Sequence, residues 1–141
     1  MQYSKCMAFD YGLASSGVAV GYIATQTVCG VGALKMIKGE PNWNELDELI
    51  KQWQPDCLLV GKPLTMNGGQ QLVSTRAKQF CDHLKKRYDK DVYEVDERFS
   101  TVEARGDIFA SHGSKGLKKS FIDEQSAVII CKQWIRTQCF T

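Results

Sequence analysis

Apolar positions change their period several times along the chain, and each change marks an element. Cys6-Met7-Ala8-Phe9 is a continuous apolar run that ends on Asp10, with Gly12 two residues on. Gly17-Val18-Ala19-Val20-Gly21 is a second run of the same kind. Together they predict a buried strand, a tight turn and a second strand returning beside the first. Residues 28–36, with Val31, Ala33, Leu34, Met36 and the adjoining Ile37, give a third extended segment, so that the three form an antiparallel meander. Pro41 and Asn42 then introduce a helix whose Leu46, Leu49, Ile50 and Trp53 share one face, and Gln54-Pro55-Asp56 stops it. Cys57-Leu58-Leu59-Val60 is short and apolar throughout, the pattern of a central strand covered on both faces.

Gly61-Lys62-Pro63-Leu64 leaves that strand and leads to a loop at Asn67-Gly68-Gly69. Val73, Ala77, Phe80, Cys81, Leu84 and Tyr88 follow at helical spacing. Asp91-Val92-Tyr93-Glu94-Val95 alternates like a fifth strand and runs into Asp96-Glu97-Arg98. Ser100-Thr101-Val102-Glu103 has the capping-box pattern of a helix start. A Gly-containing loop at 112–119 precedes a last helix that begins near Ser120 and carries Ile122, Ala127, Ile129, Ile130 and Trp134. The expected fold is α/β, a mixed sheet with helices on its faces. No repeat or linker divides the chain, so residues 1–141 read as one domain.

Composition narrows the function classes. At 141 residues, 43% hydrophobic and 24% charged, the chain has the balance of a soluble protein with a real core. It lacks an apolar run of membrane-spanning length and a signal-like start, which gives the expectation of a cytoplasmic protein with no membrane partner. The six cysteines form no C-x-x-C pair and mostly fall in apolar runs, the pattern of buried reduced thiols. A net charge of +2 does not by itself announce nucleic-acid binding. Arg76, Lys78, Lys85, Lys86, Arg87 and Lys90 read mainly as a solvated helix face, with Asp82 four residues from both Lys78 and Lys86. Lys115, Lys118 and Lys119 have no such pairing and are the better candidates for touching phosphate.

Three acidic positions stand at the ends of elements: Asp10 after the first strand, Glu97 beside Asp96 after the fifth, and Asp123 in the first turn of the last helix. In an open α/β sheet, ligands gather outside the carboxyl ends of the strands. Converging carboxylates repel one another and need a cation, and an oxygen-only set favours Mg²⁺ or Mn²⁺ over zinc. Two such ions could clamp the attacking water and the leaving oxygen of a phosphodiester. Each residue also has an ordinary reading. Asp10 could open a turn, Glu97 could pair with Arg98 at the surface, and Asp123 could serve the helix dipole. Ser100 and Thr101 suit caps, His83 suits a solvated helix position, and His112 fits either role. Actin-like and sugar-kinase ATPases place a similar Asp-x-Gly turn around nucleotide phosphate, but they need two lobes, and 141 residues provide one.

Several blocks together carry a resemblance. They are Ala8-Phe9-Asp10-Tyr11-Gly12, Gly17-Val18-Ala19-Val20-Gly21, Val60-Gly61-Lys62-Pro63-Leu64 with Asn67-Gly68, Arg76-Ala77, Asp96-Glu97-Arg98 with Ser100-Thr101-Val102-Glu103-Ala104, and Asp123 with Ser126-Ala127-Val128-Ile129-Ile130. Over nearly its whole length the chain resembles the YqgF family, also called RuvX-like, within the RNase H-like fold. The resemblance implies a five-stranded mixed sheet, its first three strands antiparallel, with helices on both faces. It implies a metal-dependent nuclease in which Asp10, Glu97 and Asp123 hold Mg²⁺ or Mn²⁺, with Asp96 as a substitute for Glu97. Lys62, Arg76, Arg98, Lys115, Lys118 and Lys119 would face nucleic acid. The favoured substrate is the 5′ end of pre-16S rRNA, with ribosomal precursor particles as partners and a monomer or homodimer as the working unit. The alternatives are a Holliday junction resolvase acting on branched DNA and a non-catalytic assembly factor. Two departures stand out. Leu13 and Ala14 occupy positions where family members often carry threonine and a basic residue, and Lys62 stands where an apolar residue is common. A phosphate contact moved from the first loop to Lys62 is the expected consequence.

Overall fold

The computed structural model describes residues 3–62, 71–96 and 119–139. The meander consists of β1 (Lys5–Asp10), β2 (Ser15–Tyr22) and β3 (Thr27–Ile37). A two-residue β4 (Glu40–Pro41), α1 (Trp43–Trp53), β5 (Cys57–Lys62), α2 (Gln71–Tyr88), β6 (Asp91–Asp96) and α3 (Lys119–Cys139) follow. The strands form one six-stranded sheet in the order β4-β3-β2-β1-β5-β6. The sixth strand is a small addition to the five read from the sequence. Lys38 and Gly39 both take positive φ, 53° and 82°. That two-residue turn folds Glu40 and Pro41 back onto Ile37 and Met36. Pro41, with no N–H to offer a further strand, suits the sheet's edge. The helix expected from Ser100 lies outside the described residues.

Strand alternation sorts the core into two layers. Met7, Phe9, Leu58 and Val60 face α1 and α2, where they meet Leu46, Ile50, Ala77, Phe80 and Leu84. Cys6, Ala8, Cys57 and Leu59 face α3 and meet Ile130, Cys131, Trp134 and Ile135. β5 therefore has no solvent side, and its apolar run is unbroken for that reason. Each large side chain so buried contributes about 1.5–3 kcal/mol.

α1 begins where the Asn42 side chain accepts hydrogen bonds from the Asn44 and Glu45 backbone N–H groups, at 3.0 and 3.3 Å. It ends at Gln54, which adopts a left-handed φ of 48°. On its apolar stripe Leu46 and Ile50 are buried, with Leu49 and Trp53 packed beside them. Arg87 on α2 reaches α1 and donates two hydrogen bonds to Asp47, at 2.8 and 2.6 Å. The pairing expected of Asp82 with Lys78 and Lys86 is absent among the described residues. His83 is half-exposed, 4.0 Å from Glu40.

Cys6, Cys57, Cys81 and Cys131 are buried, Cys29 is exposed, and all five are free thiols. The Cys6 and Cys131 sulfurs touch at 3.4 Å between β1 and α3. Burial pushes the Cys57 thiol up to about 12, and the hydrogen bond with Cys6 pushes Cys131 up as well. These two groups stay protonated at neutral pH, as expected of inert core thiols. Among the described residues, no helix is long and apolar enough to cross a membrane.

Candidate active site

β1, β5 and β6 are parallel, so their carboxyl ends share one rim of the sheet. Across that rim the register sets Gly17, Asp10, Gly61 and Val95 side by side. Cys6, Ala8 and Asp10 alternate onto the face that α3 covers. Asp10 is only 7% exposed.

α3 brings the second carboxylate. A Cβ on Gly17 would lie 1.8 Å from the carbonyl oxygen of Asp123, so the first turns of α3 rest directly on the β2 backbone opposite Asp10. The fit continues along both elements. Ala19 packs with Ala127, and a Cβ on Gly21 would lie 2.5 Å from the Cys131 sulfur. Four helical residues rise about 6 Å and two strand residues about 6.8 Å, so the helix and the small-residue row stay in step. Asp123, 2% exposed, is thereby held at the same rim and on the same face as Asp10. Ser126 stands one helical turn further on, is equally buried, and its hydroxyl has no hydrogen-bond partner among the described residues.

The turn after Asp10 is tightly built. The Gly12 N–H donates to Ser16 Oγ at 3.1 Å, and a Cβ on Gly12 would meet the Ser15 carbonyl at 2.3 Å. Tyr11 turns to the α2 side, where its hydroxyl donates to the Gly39 carbonyl at 2.8 Å. Burial pushes that phenol up to about 12. The N–H groups of Met36 and Gly39 donate to the carbonyls of Ala14 and Leu13, both at 2.9 Å. The first turn and the β3–β4 hairpin are thus one hydrogen-bonded unit. Removing the hydroxyl in Tyr11→Phe leaves a buried carbonyl without its partner. It should cost about 1 kcal/mol, read as a lower urea midpoint with an unchanged slope.

Of the sequence-predicted residues, the structure sets Asp10 and Asp123 at the same rim and on the same face, both bordering Gly17. Glu97, Arg98, Lys115 and Lys118 lie outside the described residues. Lys62 and Asp96 are register partners at the ends of β5 and β6, one residue past the Asp10 row. Lys119 opens α3. Arg76 is half-buried on α2, beside Gly39 and close enough to Tyr11 for its charge to be felt there. It therefore stands on the opposite side of the sheet from α3. Sequence reasoning missed Gly17 as the seat of α3, although small residues at every second position of β2 were the available signal. It also missed Ser126, which shares a helix face with Asp123 by its three-residue spacing. Among the described residues, no group of three or more His, Cys, Asp or Glu side chains forms a metal cluster. Among the described residues, the donors at this rim are oxygen: two buried carboxylates and a buried hydroxyl with no hydrogen-bond partner there. That chemistry fits a hard divalent cation with its water shell. A surface depression lined by Tyr3, Lys85, Asp89 and Tyr93 opens near the start of β6, at the other end of the sheet.

The fold has close structural counterparts. It is similar to Thermus thermophilus RuvC in complex with a Holliday junction substrate, with a TM-score of 0.60 at 13% identity, over 97% of this chain and 96% of that one. It is also similar to the fowlpox virus Holliday junction resolvase, with a TM-score of 0.55 at 12% identity, over 94% and 99%. At such identities the likeness defines the class, an RNase H-like fold of the RuvC kind. Residues 4–137 match the family described as RuvX, Holliday junction resolvase, and the chain belongs to that family. A relative from Glaesserella parasuis is 46% identical over 94% of this chain and 96% of its own. One from Proteus mirabilis is 42% identical over 98% and 99%. Both carry the name "Putative pre-16S rRNA nuclease".

Proposed function

We propose that this protein is a Mg²⁺- or Mn²⁺-dependent nuclease that processes the 5′ end of pre-16S rRNA in the cytoplasm. The observation that supports the reading is that Asp10 and Asp123, both buried, stand on the same face at the carboxyl rim of β1, where α3 seats on Gly17. The names of the relatives support the substrate. Asp10 and Asp123 would hold the ion, Glu97 would complete the carboxylate set with Asp96 as its substitute, and the Ser126 hydroxyl would serve to orient a water. A bound divalent ion would lower the pKa of a water nucleophile and stabilise charge on the leaving oxygen. Lys62, Arg76, Arg98, Lys115, Lys118 and Lys119 hold the phosphate backbone as the substrate lies across the rim. The substrate is presented within a ribosomal precursor particle, to a monomer or a homodimer.

A second reading, cleavage of four-way DNA junctions, draws on the fold shared with junction resolvases. It requires a two-fold dimer with two sites. The deciding experiment offers pre-16S rRNA and a four-way junction side by side to the purified protein with Mg²⁺ or Mn²⁺. Cut RNA beside an intact junction supports the first reading, and the reverse outcome favours the second. In the same preparation Mn²⁺ at a hundredfold its Kd should stabilise the fold by about 2.7 kcal/mol. For a chain of this size that raises Tm by several degrees. A Tm indifferent to Mn²⁺, together with no cleavage of either substrate, would leave a non-catalytic assembly factor as the surviving reading.

A further inference from the structure

We propose that the hairpin joining β3 to β4 is a phosphate-binding arm, in which Lys35 and Lys38 hold the nucleic-acid backbone beside the carboxylate rim. The inference rests on the nucleic-acid reading above and adds a contact surface to it. Lys35 pairs with Ser15, two residues beyond the pairing of Ala33 with Gly17. It alternates with buried Leu34 and Met36, so it belongs to the α3 face of the sheet, the face that carries Asp10. Two strand spacings and two strand residues separate Lys35 from Asp10, about 12 Å between Cα atoms. A backbone phosphate near the cleaved one falls within reach of an extended lysine.

The arm is charged, exposed and rigidly joined to the site. Lys35 and Lys38 are exposed, and between them Ile37 is 67% exposed. Neither lysine forms an ion pair among the described residues. The neighbouring acid, Glu40, instead accepts from Trp43 Nε1 at 3.2 Å and stands 4.0 Å from His83. The hydrogen bonds from Met36, Gly39 and Tyr11 fix the hairpin to the turn after Asp10, so the two hold a constant separation. Leu13 and Ala14, the residues of that turn that receive the hairpin, are uncharged, and the hairpin adds Lys35 and Lys38 to the Arg76 that stands beside Gly39. Lys38 also occupies, at a φ of 53°, a turn position that favours Asn, Asp or Gly.

The test measures binding in chelator, where no cleavage occurs, across a range of salt concentrations. The probes are a single-stranded RNA from the pre-16S 5′ region and a four-way DNA junction. Lys35→Gln combined with Lys38→Gln should bind RNA about tenfold more weakly at low salt. The slope of log affinity against log salt should shrink by about 1.4 on RNA, or by about 1.8 if the junction is the ligand. Lys51→Gln combined with Lys132→Gln removes the same charge from exposed positions on α1 and α3 and should leave both slopes unchanged. Both doubles replace exposed side chains and should keep the wild-type Tm. Equal behaviour of the two doubles overturns the arm while the nucleic-acid reading stands. A wild-type protein that binds neither probe overturns both.

Discussion

Asp10→Asn should abolish cleavage while leaving the metal-free fold intact. Asparagine keeps the size and most of the hydrogen-bonding capacity of aspartate, so the rim can hold it in place. It lacks the charge that a divalent ion requires. A metal ion supplies several kcal/mol of transition-state stabilisation, so its loss corresponds to a rate lower by about a thousandfold or more. The Tm without metal should stay near the wild-type value, and the rise caused by Mn²⁺ should be much reduced. RNA affinity in chelator should change little, because the arm and the other basic residues are untouched. Single-turnover cleavage within tenfold of wild type would remove Asp10 from the chemistry. A large loss of metal-free Tm would instead mark it as a structural carboxylate.

Gly17→Ala should damage stability and activity together. The new methyl group would sit 1.8 Å from the Asp123 carbonyl oxygen and 2.2 Å from its carbon. Both are backbone atoms, and neither can rotate away. The first turns of α3 must lift, at a cost of roughly 1–3 kcal/mol for an overpacked contact. In a chain of this length that lowers Tm by roughly 2–12 °C. The lift also moves Asp123 away from Asp10, and misplacement by an ångström commonly costs about a hundredfold in rate. Gly21→Ala is the informative comparison. Its methyl group would meet the Cys131 sulfur at 2.5 Å and the Ile135 side-chain tip at 2.6 Å, both of which can turn aside. Gly21→Ala should therefore lose less stability and far less activity. Equal losses in the two variants would show that α3 position along β2 does not govern the site.

Much of this arrangement was legible in the sequence, for reasons that differ from element to element. β5 was readable because burial on both faces leaves no polar position in Cys57-Leu58-Leu59-Val60. α1 was readable because its stripe is bounded by an Asn cap and a Gln-Pro stop. β4 was not, since two residues carry no period and the turn that creates it uses Lys38 where asparagine is usual. Local spacing also suggested partners for Asp82, whereas Arg87, from the same basic stretch, pairs with Asp47 on another helix. In the site, Asp10 stood out because a carboxylate ends an otherwise apolar run. Asp123 reads locally as a first-turn acid serving the helix dipole, whereas α3 begins at Lys119 and its first turn holds no acid. Its place beside Asp10 depends on the missing side chain of Gly17, a contact between elements that the row of small residues on β2 permits but does not assign to a particular partner.

The seating of α3 on β2 also sets an order of events during synthesis. β1, β2 and β3 are made before α3 and pair with one another through contacts local in sequence. The rim then holds Asp10 without Asp123, and the face of β2 that awaits α3 is still bare. Only when the last helix docks on Gly17 do the two carboxylates share one rim. The site is therefore built from residues far apart in the chain, and its acidic pair depends on the docking of α3 onto Gly17.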